Sequence, residues 1–152
     1  MNLTADTIKP VEGMYAYVPN KPHLHNVVAG DVLVAGQVVK QDTAQTDTLC
    51  AHVKVAEATD TPFGVVVYDC RKVSNAVGDK VAIAQTGDVI YMVAGGAVTA
   101  GAKLQFTAAT RKVDDTTTAN NAFIGRAITP ATADGDLIQV ELDFTLGVQS
   151  AG

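Results

Sequence analysis

Between residues 61 and 107 one unit recurs: a glycine turn that launches a short run of valine, isoleucine or aromatic side chains. Pro62-Phe63-Gly64-Val65-Val66-Val67-Tyr68 is followed by Gly78-Asp79-Lys80-Val81-Ala82-Ile83-Ala84, by Gly87-Asp88-Val89-Ile90-Tyr91-Met92-Val93 and by Gly101-Ala102-Lys103-Leu104-Gln105-Phe106. Runs of this length and β-branched content, punctuated by glycine with no helical segment between them, read as hairpin-connected strands. The stretch is a β-meander, and it constrains the chain to an all-β fold.

The flanking sequence extends the same reading. Ile138, Val140, Leu142 and Phe144 alternate with Gln139, Glu141 and Asp143, so the run at 137–144 is a strand with one core face and one wet face. Further strands are expected after Gly30-Asp31, between residues 48 and 58 in preference to a short helix at 51–58, at 111–113 and at 122–128. Val81 and Ile83 share one strand face. The run at 89–93 is apolar on both sides, so it must be covered twice: once by the domain's own core, and once by another sheet, the N-terminal arm or a second subunit. With 152 residues, 13 glycines and 47% hydrophobic residues, the chain predicts one compact antiparallel β-barrel or jelly-roll-like β-sandwich. Residues 1–26 form an extended N-terminal arm with Pro10, Pro19 and Pro22, residues 27–146 the β-domain, and residues 147–152 a small polar tail. The arm is either a disordered tail or a segment that orders against the body or a neighbouring subunit; Tyr15, Tyr17 and Val18 make it too apolar for a free linker.

Charge and length exclude several function classes. A net charge of −5 opposes approach to nucleic acid or an anionic membrane, and the lysines are scattered, not set in a stripe. The longest apolar run, 89–98, is about half of the ~20 residues a membrane helix needs and contains Gly95-Gly96. No signal peptide is visible, and the protein is expected to be made and used without secretion. Cys50 and Cys70 fall in predicted strands and read as two buried thiols; pairing them would require neighbouring strands with Cα atoms about 5.5–6 Å apart.

Catalytic and metal chemistry find no constellation. His23 and His25 could place two imidazoles on one strand face, but no CxxC or HExxH supplies further ligands. Glu141 and Asp143 form a solvated strand face. Ser74 and Ser150 are the only serines, and neither stands in a nucleophile elbow. Ala94-Gly95-Gly96-Ala97 lacks the helix and lysine of a phosphate cradle, and Lys80 is misplaced for a lipoyl or biotinyl carrier. No enzyme activity, cofactor or metal is expected.

The order of elements over residues 27–144 resembles the capsid cement, or head decoration, proteins of tailed bacteriophages. The resemblance is carried by the Gly30-Asp31-Val32 turn, Thr61-Pro62-Phe63-Gly64-Val65-Val66, Gly78-Asp79-Lys80-Val81-Ala82-Ile83 with Thr86-Gly87, Ala100-Gly101-Ala102-Lys103-Leu104, Ile124-Gly125-Arg126-Ala127 and Leu137-Ile138-Gln139-Val140-Glu141-Leu142. It implies a structural protein on the outer surface of the virion that binds the major capsid protein as a homo-oligomer, a trimer more readily than a dimer, and fastens neighbouring capsid subunits. From composition, the expected oligomer or capsid contacts are Tyr15, Tyr17, Pro19, Pro22 and His23 of the arm, with Ile90 and Met92 of the doubly apolar strand. The alternative is a fibre or tail-associated β-domain that binds a host-surface glycan, which would need exposed aromatic rings on its loops.

Overall fold

A computed structural model describes residues 10–16 and 25–151. Ten strands are found among them: β1 (His25–Ala29), β2 (Val38–Gln41), β3 (His52–Val55), β4 (Gly64–Val66), β5 (Lys80–Ala84), β6 (Val89–Ala94), β7 (Lys103–Phe106), β8 (Lys112–Asp114), β9 (Phe123–Ala127) and β10 (Leu137–Leu142). A single 3-10 turn, Phe144–Leu146, is capped by Asp143, whose carboxylate accepts the Thr145 amide.

The all-β barrel architecture stands as expected, but the chain closes it twice. The first barrel runs β1-β3-β2-β4-β5 and returns to β1; the second runs β10-β6-β8-β7-β9 and returns to β10. The two circuits have one plan. In each, the first strand pairs parallel with the third and antiparallel with the fifth, and the second pairs antiparallel with the third and fourth. One parallel pair per barrel departs from the fully antiparallel expectation. It arises because the chain leaves the first strand, crosses the barrel through the second, and returns alongside the first.

Register extends the equivalence to single residues. Val28 lies opposite Lys80 and Val27 opposite Val81, as Val93 lies opposite Leu137 and Met92 opposite Ile138. After the first strand of each barrel the chain crosses to an isolated bridge, Leu33 with Asn75 in one and Val98 with Ala131 in the other. Each bridge is closed by two backbone hydrogen bonds of 2.7–3.0 Å. The strand expected after Gly30 is therefore reduced to this bridge.

Strand alternation fills both interiors. Val27, Ala29, Val39, Val53, Val66, Val81 and Ile83 form the first core with Leu33. Ile90, Met92, Ala94, Leu104, Phe106, Val113, Ile138, Val140 and Leu142 lie in the second. The second cluster also takes in Val38, Val65 and Ala84, neighbours across β2, β4 and β5 on the outer wall of the first barrel. One barrel thus packs its outside against the other, and only the four residues 85–88 join them. With apolar surface worth roughly 25 cal/mol per Å² buried, a valine-rich wall of this kind prefers a protein cover to water.

Two expectations are corrected here. Cys70 is exposed and Cys50 half-buried, both free and both in loops, because β4 ends at Val66 and β3 begins only at His52. Ile90 and Met92, expected at an oligomer or capsid contact, are fully buried in the second barrel's own interior. The cover of their strand's open edge is the chain's own residues 13–16.

Candidate functional site

Residues 10–16 form a strap across both barrels. Gly13 and Ala16 donate their amides to the Tyr91 and Val89 carbonyls at 2.7 and 2.9 Å, and the Tyr91 amide donates to Met14 at 2.8 Å. These bonds add a short strand on the edge of β6 away from β10, where β8 pairs only with the far end, Val93 and Ala94. On its other side the Gly13 carbonyl accepts the Tyr68 amide of the first barrel at 3.0 Å. Gly13 has φ +78, and a Cβ there would stand 2.9 Å from both the Gly36 nitrogen and the Val66 oxygen. Only glycine lets the strap cross so close to two other backbones.

An ion pair locks the crossing. Arg111 Nη1 donates to Glu12 Oε1 at 2.6 Å and to the Ala35 carbonyl at 3.1 Å, so a second-barrel side chain grips both the strap and the first barrel. Arg111 holds φ 58 in the turn between β7 and β8, where its amide donates to Thr107. The left-handed conformation costs a non-glycine residue of order 1 kcal/mol and is kept because the surroundings over-determine it. Burial pushes the Glu12 carboxyl above its ordinary range, with Arg111 acting in the opposite direction.

Beside the strap lies a cleft of about 420 Å³ lined by Val11, Val34, Ala35, Tyr68 and Val73, with charged groups at its rim. Those charges are matched within the chain: Arg71 with Asp69 at 3.0 Å, Lys72 with Asp79 at 3.3 Å, and Arg111 with Glu12. Val32, Val73 and Val77 add exposed apolar surface nearby, on the two runs that the Leu33–Asn75 bridge holds side by side.

The expected contact residues separate. Tyr15 packs against the second core and bridges Ile90 through its backbone. Burial, and after it the charge of Asp88, pushes its phenol up to about 12. Tyr17, Pro19, Pro22 and His23 lie outside the described residues. Glu12, Arg111 and the loop 67–74 were not singled out by the sequence. The signal for the loop was the repeat itself: Ala29-Gly30, Ala35-Gly36 and Ala76, Gly78-Asp79 recur as Ala94-Gly95, Ala100-Gly101 and Ala133, Gly135-Asp136. Aligning these copies shows loop 67–74 as an elaboration of the first.

Among the described residues no group of three or more His, Cys, Asp or Glu side chains could hold a metal ion, and no helix is long and apolar enough to cross a membrane. What the fold presents is a double barrel, strapped at its seam, with exposed valines on one barrel. The chain belongs to the phage cement protein family, whose sequence profile matches residues 18–142 and so spans both barrels. It is a structural protein of the phage head. Among solved structures it is similar to the head fiber gp8.5 N base in bacteriophage phi29, with a TM-score of 0.55 and 18% identity over 80% of this chain and 93% of that one. At that identity the likeness is one of fold. No curated protein matches the chain.

Proposed function

We propose that this protein binds the outer surface of an assembled phage head, contacts the major capsid protein and fastens neighbouring subunits as a homo-oligomer, a trimer in preference to a dimer. The observation that carries this reading is the cement-family match across residues 18–142. The physical route is linkage. A ligand that binds the assembled lattice and not its separated subunits stabilises the lattice by mass action, and several weak contacts on one oligomer multiply into firm attachment. Tyr15 and, beyond the described residues, Tyr17, Pro19, Pro22 and His23 remain the proposed oligomer or capsid contacts.

The test is co-sedimentation of the purified protein with expanded empty heads, alongside its solution mass by light scattering. Saturable binding and a heat-stability gain of the heads are expected. Heads that neither retain the protein nor gain stability would overturn the reading.

The likeness to a head fiber base favours a second reading, in which the protein seats a fibre or is itself part of one that meets a host glycan. Binding to host cells in place of heads would select it.

A further inference from the structure

The strap has a direction, and it leads to the cleft. Followed back from Ala16 on the Val89 carbonyl, the chain passes Gly13, reaches Glu12 on Arg111 and then Val11, which lines the cleft with Val34, Ala35, Tyr68 and Val73. Residues 1–9, which lie outside the described residues, therefore join the described chain at Pro10, beside the cleft. Covalent geometry keeps them near it. With consecutive Cα atoms about 3.8 Å apart, Ile8 lies within about 8 Å of Pro10.

The first barrel is enlarged at that same point. Loop 67–74, which carries Tyr68, Cys70 and Val73, stands where the second barrel has the short connection 128–130. A feature present in one copy of a shared backbone plan and missing from the other is not demanded by the fold. Val73 is 95% exposed and Tyr68 42%, although both line one concave surface with Val11. A cleft of this size, apolar with a few polar groups at its edge, is the kind of surface that takes an occupant.

Charge and tethering select the occupant. The rim ions are paired within the chain, Arg71 with Asp69, Lys72 with Asp79 and Arg111 with Glu12, so a charged occupant would find no counter-ion. Residues 1–9 carry balanced side-chain charge, Asp6 against Lys9, and the apolar Met1, Leu3, Ala5 and Ile8. They are also attached at the rim. A short tether holds a segment at roughly millimolar effective concentration, which favours the chain's own residues over those of a second copy at micromolar concentration.

We infer that residues 1–9 fold back onto their own chain and seat Ile8 and Leu3 in the cleft beside the strap, against Val34, Ala35, Tyr68 and Val73. Loop 67–74 is then the receptor for the chain's own first residues, and strap, ion pair and cleft form one continuous attachment. The inference does not rest on the head-binding reading.

Cys70 reports the cover, because it lines the cleft as a free and exposed thiol. The experiment measures its alkylation rate with N-ethylmaleimide in the full chain carrying Cys50→Ser, and in that chain lacking residues 1–9, with Leu3→Ser and Ile8→Ser together, or with Thr7→Ser as a control. Thermal melting confirms that each variant is folded. Truncation is expected to raise the rate on the order of 10-fold, the double variant to match it, and the control to leave it unchanged. The full-chain rate should not depend on protein concentration between about 1 and 100 μM. Equal rates with and without residues 1–9 would overturn the docking, and a double variant as slow as the full chain would overturn the apolar seating. A rate that falls as protein concentration rises would give the cleft to a second copy and overturn the assignment to the same chain.

Discussion

The same wall position is built oppositely in the two barrels. Val38, Val65 and Ala84 line the outside of the first barrel across β2, β4 and β5, and all three are buried against the second. The aligned residues of the second barrel are Lys103, Arg126 and Glu141, neighbours across β7, β9 and β10, and all three are exposed. The contact is thus head to tail: one barrel's wall meets a different surface of its copy, not the same wall. A head-to-tail contact can be repeated without end, and the exposed charges of Lys103, Arg126 and Glu141 oppose a further step of the same kind. The Lys103 ammonium, 5.4 Å above the Phe123 ring, also shields an aromatic side chain on that wall. What the difference teaches is that one backbone plan serves both barrels, while the residues at a few strand positions decide which surfaces associate.

The largest effect should come from writing one wall onto the other. Val65→Arg buries a charge in the seam between barrels and is expected to cost about 4 kcal/mol or more, read as loss of the cooperative urea transition. The reverse change, Arg126→Val, should leave stability within about 0.5 kcal/mol but raise the tendency to self-associate, seen as added mass in light scattering. Equal costs for the two would break the asymmetry drawn here.

Next in size are the glycines that share one aligned place on β4 and β9. A Cβ at Gly125 would run into the Glu141 carbonyl, which is backbone and cannot yield, whereas at Gly64 it would stand 2.7 Å from Ile83 Cδ1 and 3.0 Å from the Ala84 carbonyl. Gly125→Ala should cost about 3 kcal/mol and Gly64→Ala about 1–2 in chemical denaturation, since only the second clash is relieved in part by turning a side chain.

Smaller again is Arg111→Ala, expected to cost about 1–2 kcal/mol and to increase hydrogen exchange at Gly13 and Tyr91 by loosening the strap. Its pH dependence has a defined sign. Glu12 has a folded pKa above its ordinary 4.5, so its neutral form is the one the fold prefers. Stability from that preference is fully present below the unfolded value and is lost as pH rises through the folded one. Without Arg111 to stabilise the charge, the strap should tighten as the pH is lowered through that window. A strap that loosens on mild acidification would contradict the assignment.

The smallest effects belong to the turn aspartates, where the barrels agree. Asp79 accepts the Ala76 amide at 2.9 Å and Asp136 the Thr132 and Ala133 amides at 2.8 and 3.0 Å, and these backbone bonds hold both carboxyls below their ordinary 3.8. Their contribution is present above the unfolded pKa and is lost as pH falls through the folded value. Asp79→Asn and Asp136→Asn should each flatten the acid limb of a stability profile below about pH 4, by similar small amounts. A large difference between them would show that the two turns are not equivalent.

Much of this was legible in the residues, and the rest was not for identifiable reasons. The alternation of Ile138, Val140 and Leu142, and the shared face of Val81 and Ile83, are local patterns that each strand carries in itself. Ile90 and Met92 were misplaced because a strand apolar on both sides does not say which side is interior. Cys70 was misplaced because the valine run through Val67 reads as strand, while pairing with β5 ends at Val66. The doubling was written in the recurring Gly-Asp turns, but its copies differ at most positions and in the length of two loops, which blurs the repeat.

The sequence by itself determined the all-β class, the inward residues of most strands, the acidic surface and the head-protein family. Tertiary structure alone decided that the strands close two barrels, that Val38, Val65 and Ala84 are covered by the second of them, and that Arg111 reaches Glu12 across 99 residues of chain. The division follows from range. A strand's pattern records that a face is apolar, because side-chain direction alternates within a few residues. What covers that face is settled only when distant segments meet, and neighbouring residues carry no record of it.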